Sequence, residues 1–140
     1  MRAELHRFVK LLIGRRLHRD VEHERRRMSL NQLIRSAERA WHGVKPGQPD
    51  WSDWSHSLAL MATVRRQGLT FYLVVNAYWD SLDFELPSLE SGGSWRRWVD
   101  TSLDSPHDIV EWEVAPVISS DTYQAGPRSV IVFFATVSAS

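Results

Sequence analysis

The chain has 140 residues, is 43% hydrophobic, contains no cysteine, and its 17 basic and 17 acidic side chains cancel to a formal net charge of zero. That length suits one domain and that apolar content suits a real core, while the lack of cysteine excludes disulfides and thiolate metal sites. No apolar run approaches the roughly 18 residues of a membrane helix, and the N-terminus lacks the pattern of a signal peptide, so the expectation is a cytoplasmic protein with no membrane partner.

Leu5, Phe8, Val9, Leu12 and Ile13 follow the spacing of one helix face and predict a first helix with a wide apolar stripe. The charged run from Arg19 to Arg27 reads as a solvated helix end or a loop. Ser29 and Gln32 fit a capping box that opens a second helix, with Leu30, Leu33, Ile34 and Ala37 as its buried stripe. The tryptophan-rich stretch 41–57, WHGVKPGQPDWSDWSHS, is open to three readings: a sugar platform, part of an active site, or an anchored loop.

Beyond residue 56 the period is that of strands. Leu58, Leu60, Ala62 and Val64 alternate with Ala59, Met61 and Thr63, and "RQG" at 66–68 reads as a turn. "TFYLVVNAYW" is apolar on both faces, as a central strand would be. "SLDFELP" alternates, with Leu82, Phe84 and Leu86 inward and Asp83 and Glu85 outward. "WRRWVD" and "EWEVAPV" are shorter strand candidates, and "RSVIVFFATV" is a last, strongly apolar strand. The pattern predicts a mainly β chain: an antiparallel β-sandwich over residues 57–140, preceded by one or two N-terminal α-helices in residues 1–40 and a linker at 41–56.

Candidate chemistry is thin. Asp83 and Glu85 are two carboxylates on one strand face, a spacing that glycoside hydrolysis can use, yet alternation sends both to solvent. Asp53, Ser55 and His56 have the residue types of a nucleophilic triad, but adjacency in sequence is no sign of one. His42 and His56 lack metal-ligand spacing, and "GVKPG" is no phosphate loop, so no catalytic residue, metal or cofactor is predicted. Residues 1–45 carry 12 basic and 5 acidic side chains, and residues 46–140 carry 5 and 12. Such asymmetry can mark a nucleic-acid arm, but Glu4, Asp20, Glu22, Glu24 and Glu38 among the arginines argue against nucleic acid as a partner. Tryptophan buries much area and keeps one N–H donor. Trp79, Trp95, Trp98 and Trp112 are therefore expected in the core, while Trp41, Trp51 and Trp54 are the candidate glucan-binding residues.

The chain resembles the C-terminal end of isoamylase-type glycogen or starch debranching enzymes. The resemblance runs from about Leu5 to Phe134 and rests on short motifs in order: Trp41-His42-Gly43 with Pro49-Asp50-Trp51, Asn76-Ala77, Phe84-Glu85-Leu86-Pro87, Val99-Asp100-Thr101 and Pro127-Arg128-Ser129-Val130. It implies a non-catalytic C-terminal domain, a fragment of an enzyme that hydrolyses α-1,6 branch linkages in glycogen-like glucans, whose catalytic carboxylates lie in a (β/α)₈ barrel of roughly 200 residues or more. Residues 1–40 resemble that barrel's last helices. The implied partners are the barrel itself, in cis or in trans, and glycogen or another α-glucan. The apolar stripe of the first helix would face the barrel, or drive self-association without it. The linker would sit at the join, with its indoles fastened to both sides. The alternatives are a free-standing glucan-binding module and, more remotely, a nucleic-acid binder.

Overall fold

A computed structural model describes residues 2–24 and 35–138 of the chain. One long helix, α1 (Arg2–Glu24), precedes eight strands among these residues: β1 (Glu38–His42), β2 (Ser57–Val64), β3 (Leu69–Asn76), β4 (Leu82–Glu85), β5 (Trp95–Asp100), β6 (Val117–Ile118), β7 (Thr122–Ala125) and β8 (Ser129–Thr136). Of the second helix expected from Ser29, residues 29–34 fall outside the described residues, while Arg35 and Ser36 are helical and Ala37 stands just before β1.

The strands form a six-stranded sheet in the order β1-β2-β3-β8-β5-β6 and a two-stranded sheet of β4 and β7. Every pairing is antiparallel. β3 and β8 occupy the middle of the large sheet, as their β-branched and aromatic runs require, because a strand covered on both faces must be apolar on both. The core lies between the sheets. Tyr72 and Phe133 from adjacent strands stack there, with Phe84 of β4 and Ala125 of β7 closing the other side. The opposite face of the large sheet is apolar as well: Phe71 pairs with Phe134, Leu73 with Val132 and Val75 with Val130. Trp112 covers part of it by stacking on Phe134 at 4.3 Å.

The turn at 66–68 is a single 3-10 turn, Arg65–Gln67, ended by Gly68 at φ 63°. In β4 the alternation holds: Phe84 and then Leu86 are buried, Asp83 and Glu85 exposed. Three expectations are corrected. Glu38–His42 is a strand rather than the end of a helical segment, because β2 offers it a free edge that sets Trp41 opposite Leu60. "EWEVAPV" is not one strand. Trp112–Val114 coils into a 3-10 turn, and only Val117–Ile118, beyond Pro116, joins β5; proline lacks the N–H a ladder needs. β7 has no counterpart among the expected strands, since only Ala125 of its four residues is fully buried and the apolar signal is correspondingly weak.

The helix α1 carries the expected apolar stripe, with Phe8 half-buried. Its stripe residues Leu5, Val9, Leu12 and Ile13 are exposed. It docks instead through Arg7, which donates to Asp108 Oδ1 at 2.8 Å and to the carbonyls of Pro106 and Ile109 at 2.7 and 2.6 Å. Eight residues on, the Arg15 guanidinium lies 3.3 Å from the centre of the Trp112 ring. Charge-assisted hydrogen bonds and a cation–π contact thus fix which side of the helix faces the sandwich.

Candidate functional site

The tryptophan-rich segment is built outward from the edge strand β1. Trp41 shares the outer sheet face with Leu60, and Trp51 meets it edge-on, with ring centres 5.5 Å apart and planes at 73°. Trp41, Trp51 and Trp54 are 45%, 64% and 87% exposed. All three are exposed on this domain. On the sandwich side, small groups fix the segment. Buried His42 accepts the Gly47 N–H on Nδ1 at 2.7 Å. Burial lowers its pKa from the usual imidazole value, which keeps the ring neutral and able to accept. A side chain at Gly43 would run into the Gln48 carbonyl. The Val44 carbonyl accepts the Glu85 N–H at 2.8 Å, tying the segment to β4. The turn that carries Trp54 is closed by Ser52 N–H to Asp50 Oδ1 at 3.0 Å and Ser55 N–H to the Ser52 carbonyl at 3.0 Å. The hydrogen bonds from Ser52 hold the Asp50 carboxyl below its ordinary pKa.

The other candidates do not converge. The Ser55 hydroxyl donates to the Ser57 carbonyl, while His56 tilts against Tyr78, so no nucleophile–base pair forms with Asp53. Asp83 and Glu85 stand on the solvent side of β4. Among the described residues no three His, Asp or Glu side chains lie close enough to hold a metal ion. Trp95 is buried, and its Nε1 donates to the Pro87 carbonyl at 2.8 Å. Trp98 and Trp112 are half-buried and meet edge-on at 5.7 Å. Trp79, expected in the core, is 65% exposed. It follows the last residue of β3 by three positions, where the chain has left the sheet, and its ring stacks on Tyr78 at 4.8 Å. The signal that could have placed it was the turn-prone Asp80-Ser81 immediately after it.

The motif residues are occupied with architecture. Asn76, 1% exposed, donates from Nδ2 to the carbonyls of Asp80, Gly126 and Ala125 at 2.9, 3.0 and 3.2 Å and accepts the Tyr78 N–H at 3.0 Å. Buried Asp100 accepts the Ser102 N–H and hydroxyl at 2.9 and 2.6 Å. Thr101 Oγ1 accepts the Val130 N–H at 2.9 Å, and the Ser129 hydroxyl donates to the Gly126 carbonyl at 2.6 Å. These polar side chains are the partners of backbone groups in the connecting loops.

The sequence model of the family described as Isoamylase 1-3, C-terminal, matches residues 40–131. The chain is 30% identical over 108 residues to isoamylase SU1, chloroplastic, of Zea mays, an alignment covering 77% of this chain and 13% of that protein. It is 30% identical over 110 residues to isoamylase 1, chloroplastic, of Arabidopsis thaliana, again covering 77% and 13%, and 34% identical over 70 residues to isoamylase 1, chloroplastic, of Oryza sativa subsp. japonica, covering 50% and 8%. The chain therefore spans about one eighth of the length of the first two relatives. With the matched region taking in all of β1 to β7 but Glu38 and Arg39, the chain belongs to the isoamylase 1–3 C-terminal domain family.

Proposed function

We propose that this chain is the non-catalytic C-terminal accessory domain of a debranching enzyme that hydrolyses α-1,6 linkages in glycogen-like glucans. It stabilises the catalytic barrel and offers Trp41, Trp51 and Trp54 as glucan contacts. The observation that carries the reading is the orientation of α1. Arg7 and Arg15 hold one side of the helix against the sandwich, while Leu5, Val9 and Leu12 are left exposed, as is Ile13 at the margin of the groove facing Trp98 and Trp112. An apolar stripe held in fixed orientation by its own domain suits a second body packed on the far side. The same stripe would let isolated copies associate. A reducing compartment such as the cytoplasm suits a chain without cysteine, and cell fractionation tests that placement.

The test is complementation. An isoamylase barrel lacking its own C-terminal domain is mixed with this chain, and its melting temperature and debranching rate are followed. A rise in both, abolished by Val9→Asp, is expected, and the chain alone should release no reducing ends from glycogen. Hydrolysis by the chain alone, or no effect on the barrel, defeats the reading. Exposed Trp51 and Trp54 favour one further reading, a module that binds glucan by itself, for which retardation of the isolated chain in a glycogen-containing native gel is the signature.

A further inference from the structure

The loop between β3 and β4 carries a second aromatic surface. Trp79 is 65% exposed, its ring stacks on Tyr78 with planes at 28°, and Tyr78 in turn tilts against His56 with ring centres 6.0 Å apart. An exposed indole on a loose loop would be unremarked, but this loop is clamped. Asn76, fully buried at the end of β3, accepts the Tyr78 N–H and donates to the Asp80 carbonyl, so it holds the residues on both sides of Trp79. The Tyr78 carbonyl accepts the Arg128 N–H at 3.0 Å, and Arg128 sits at φ 50°, a conformation that costs a non-glycine residue energy and is kept here by its neighbours. The Asn76 amide reaches Ala125 and Gly126 as well, so the β3–β4 and β7–β8 loops share one anchor.

We propose that the Tyr78–Trp79 stack is a glucan-binding platform in its own right, distinct from the Trp41–Trp51 pair. A rigid, exposed π-face suits the flat C–H face of a pyranose, and rigidity removes the ordering cost that weakens binding by mobile aromatics. Exposed Asp80, Ser81 and Arg128 border the stack and can pair with sugar hydroxyls. A peptide would want an apolar groove, and this surface is a small flat stack with a polar rim. The Ala77 N–H donates to the His56 carbonyl at 2.8 Å. The new platform therefore adjoins the segment that carries Trp54, and a long glucan has two places to settle at one end of the sandwich. The inference rests on reading the domain as one that contacts glucan.

The experiment is affinity electrophoresis of the chain through glycogen, comparing Trp79→Ala, Trp79→Phe, Trp51→Ala and the double alanine variant, with urea midpoints as the folding control. Trp79→Ala is expected to weaken retardation by about three- to tenfold, the range of one aromatic stacking contact, with Trp79→Phe in between and the midpoints unchanged. Loss in Trp79→Ala with Trp51→Ala unaffected upholds this platform while removing the Trp51 contact. Loss in Trp51→Ala with Trp79→Ala unaffected overturns the inference and leaves the first contact standing. No retardation of the unmodified chain overturns both. Trp79→Ala that keeps glycogen retardation but no longer raises the barrel's melting temperature also overturns the inference, since the stack is then a protein contact.

Discussion

Tyr123 donates its phenolic hydrogen to Oδ2 of Asp100, a carboxylate 1% exposed to solvent. The bond joins β7 of the small sheet to β5 of the large one. Ser102 fills the other carboxylate oxygen, and Arg97 reaches the Tyr123 oxygen at 3.3 Å. A buried carboxylate is costly unless its oxygens are satisfied, so this contact helps hold the two layers in register, beside the Asn76–Ala125 bond and the shared core. Tyr123→Phe should lower stability by about 1–3 kcal/mol, the range for leaving a buried polar group short of a partner. Urea unfolding checks it, and a change under a few tenths of a kcal/mol would remove the inter-sheet role.

Alkaline stability follows from the same residue. Burial first, and Asp100 second, push Tyr123 up to about 12, and burial pushes Tyr72 to about 12. Both groups bind their proton more tightly folded than unfolded. Their contribution is therefore full below the unfolded tyrosine value of about 10 and is lost as pH rises from there through about 12. Melting temperatures should fall across that window, and less steeply in Tyr123→Phe. An unchanged slope in the variant would show that Tyr123 is not one of the groups responsible.

His42 works at the other end of the scale. Burial lowers its pKa, so the unfolded chain takes up a proton before the folded one does. Stability should be full above the unfolded histidine value of about 6.5 and fall as pH drops below it. Protonation at Nδ1 also removes the acceptor for the Gly47 N–H. A His42→Asn variant would keep an acceptor near that position without titrating in this range. The expected outcome is a flatter stability profile between about pH 7 and 5, measured by denaturant midpoint; a profile that matches the unmodified chain assigns the acid sensitivity elsewhere.

Two glycines should respond with opposite signs. Gly43→Ala sets a methyl into the Gln48 carbonyl, so the linker must move and stability should drop by about 1–3 kcal/mol. Gly14→Ala meets nothing within 4 Å inside α1 and should stabilise the helix by up to about 1 kcal/mol. Melting temperatures of the two variants decide the matter, and a loss in Gly14→Ala would mean that the helix is packed more closely there than described.

Arg7→Ala should release α1 without unfolding the sandwich. Its guanidinium holds Asp108 and the carbonyls of Pro106 and Ile109, while strand pairing and the core do not involve it. Amide exchange in α1 should speed up markedly while exchange in β3 and β8 stays slow. Equal acceleration throughout would mean that helix and sandwich unfold as one unit.

How much of this could be read from the chain depends on how local each cause is. The alternation in Leu82 to Leu86 and the apolar runs of β3 and β8 announced strands, because side-chain direction in a strand repeats every two residues whatever lies nearby. The motif order from Trp41 to Val130 announced the family for a related reason: His42, Gly43, Asn76 and Asp100 fasten loops of set length, so their spacing is part of the fold. Burial is another matter. Trp95 and Trp79 are the same residue type on nearby segments, and one is 4% exposed and the other 65%. The first meets the opposite sheet and the second leaves the sheet before reaching it. α1 makes the same point, since its period fixed a stripe but could not say whether Leu5 or Arg7 would face the sandwich. Period and composition determine which residues could be buried together; only the tertiary structure decides which of them find a partner, because a partner is supplied by chain distant in sequence, as Asp108 is for Arg7.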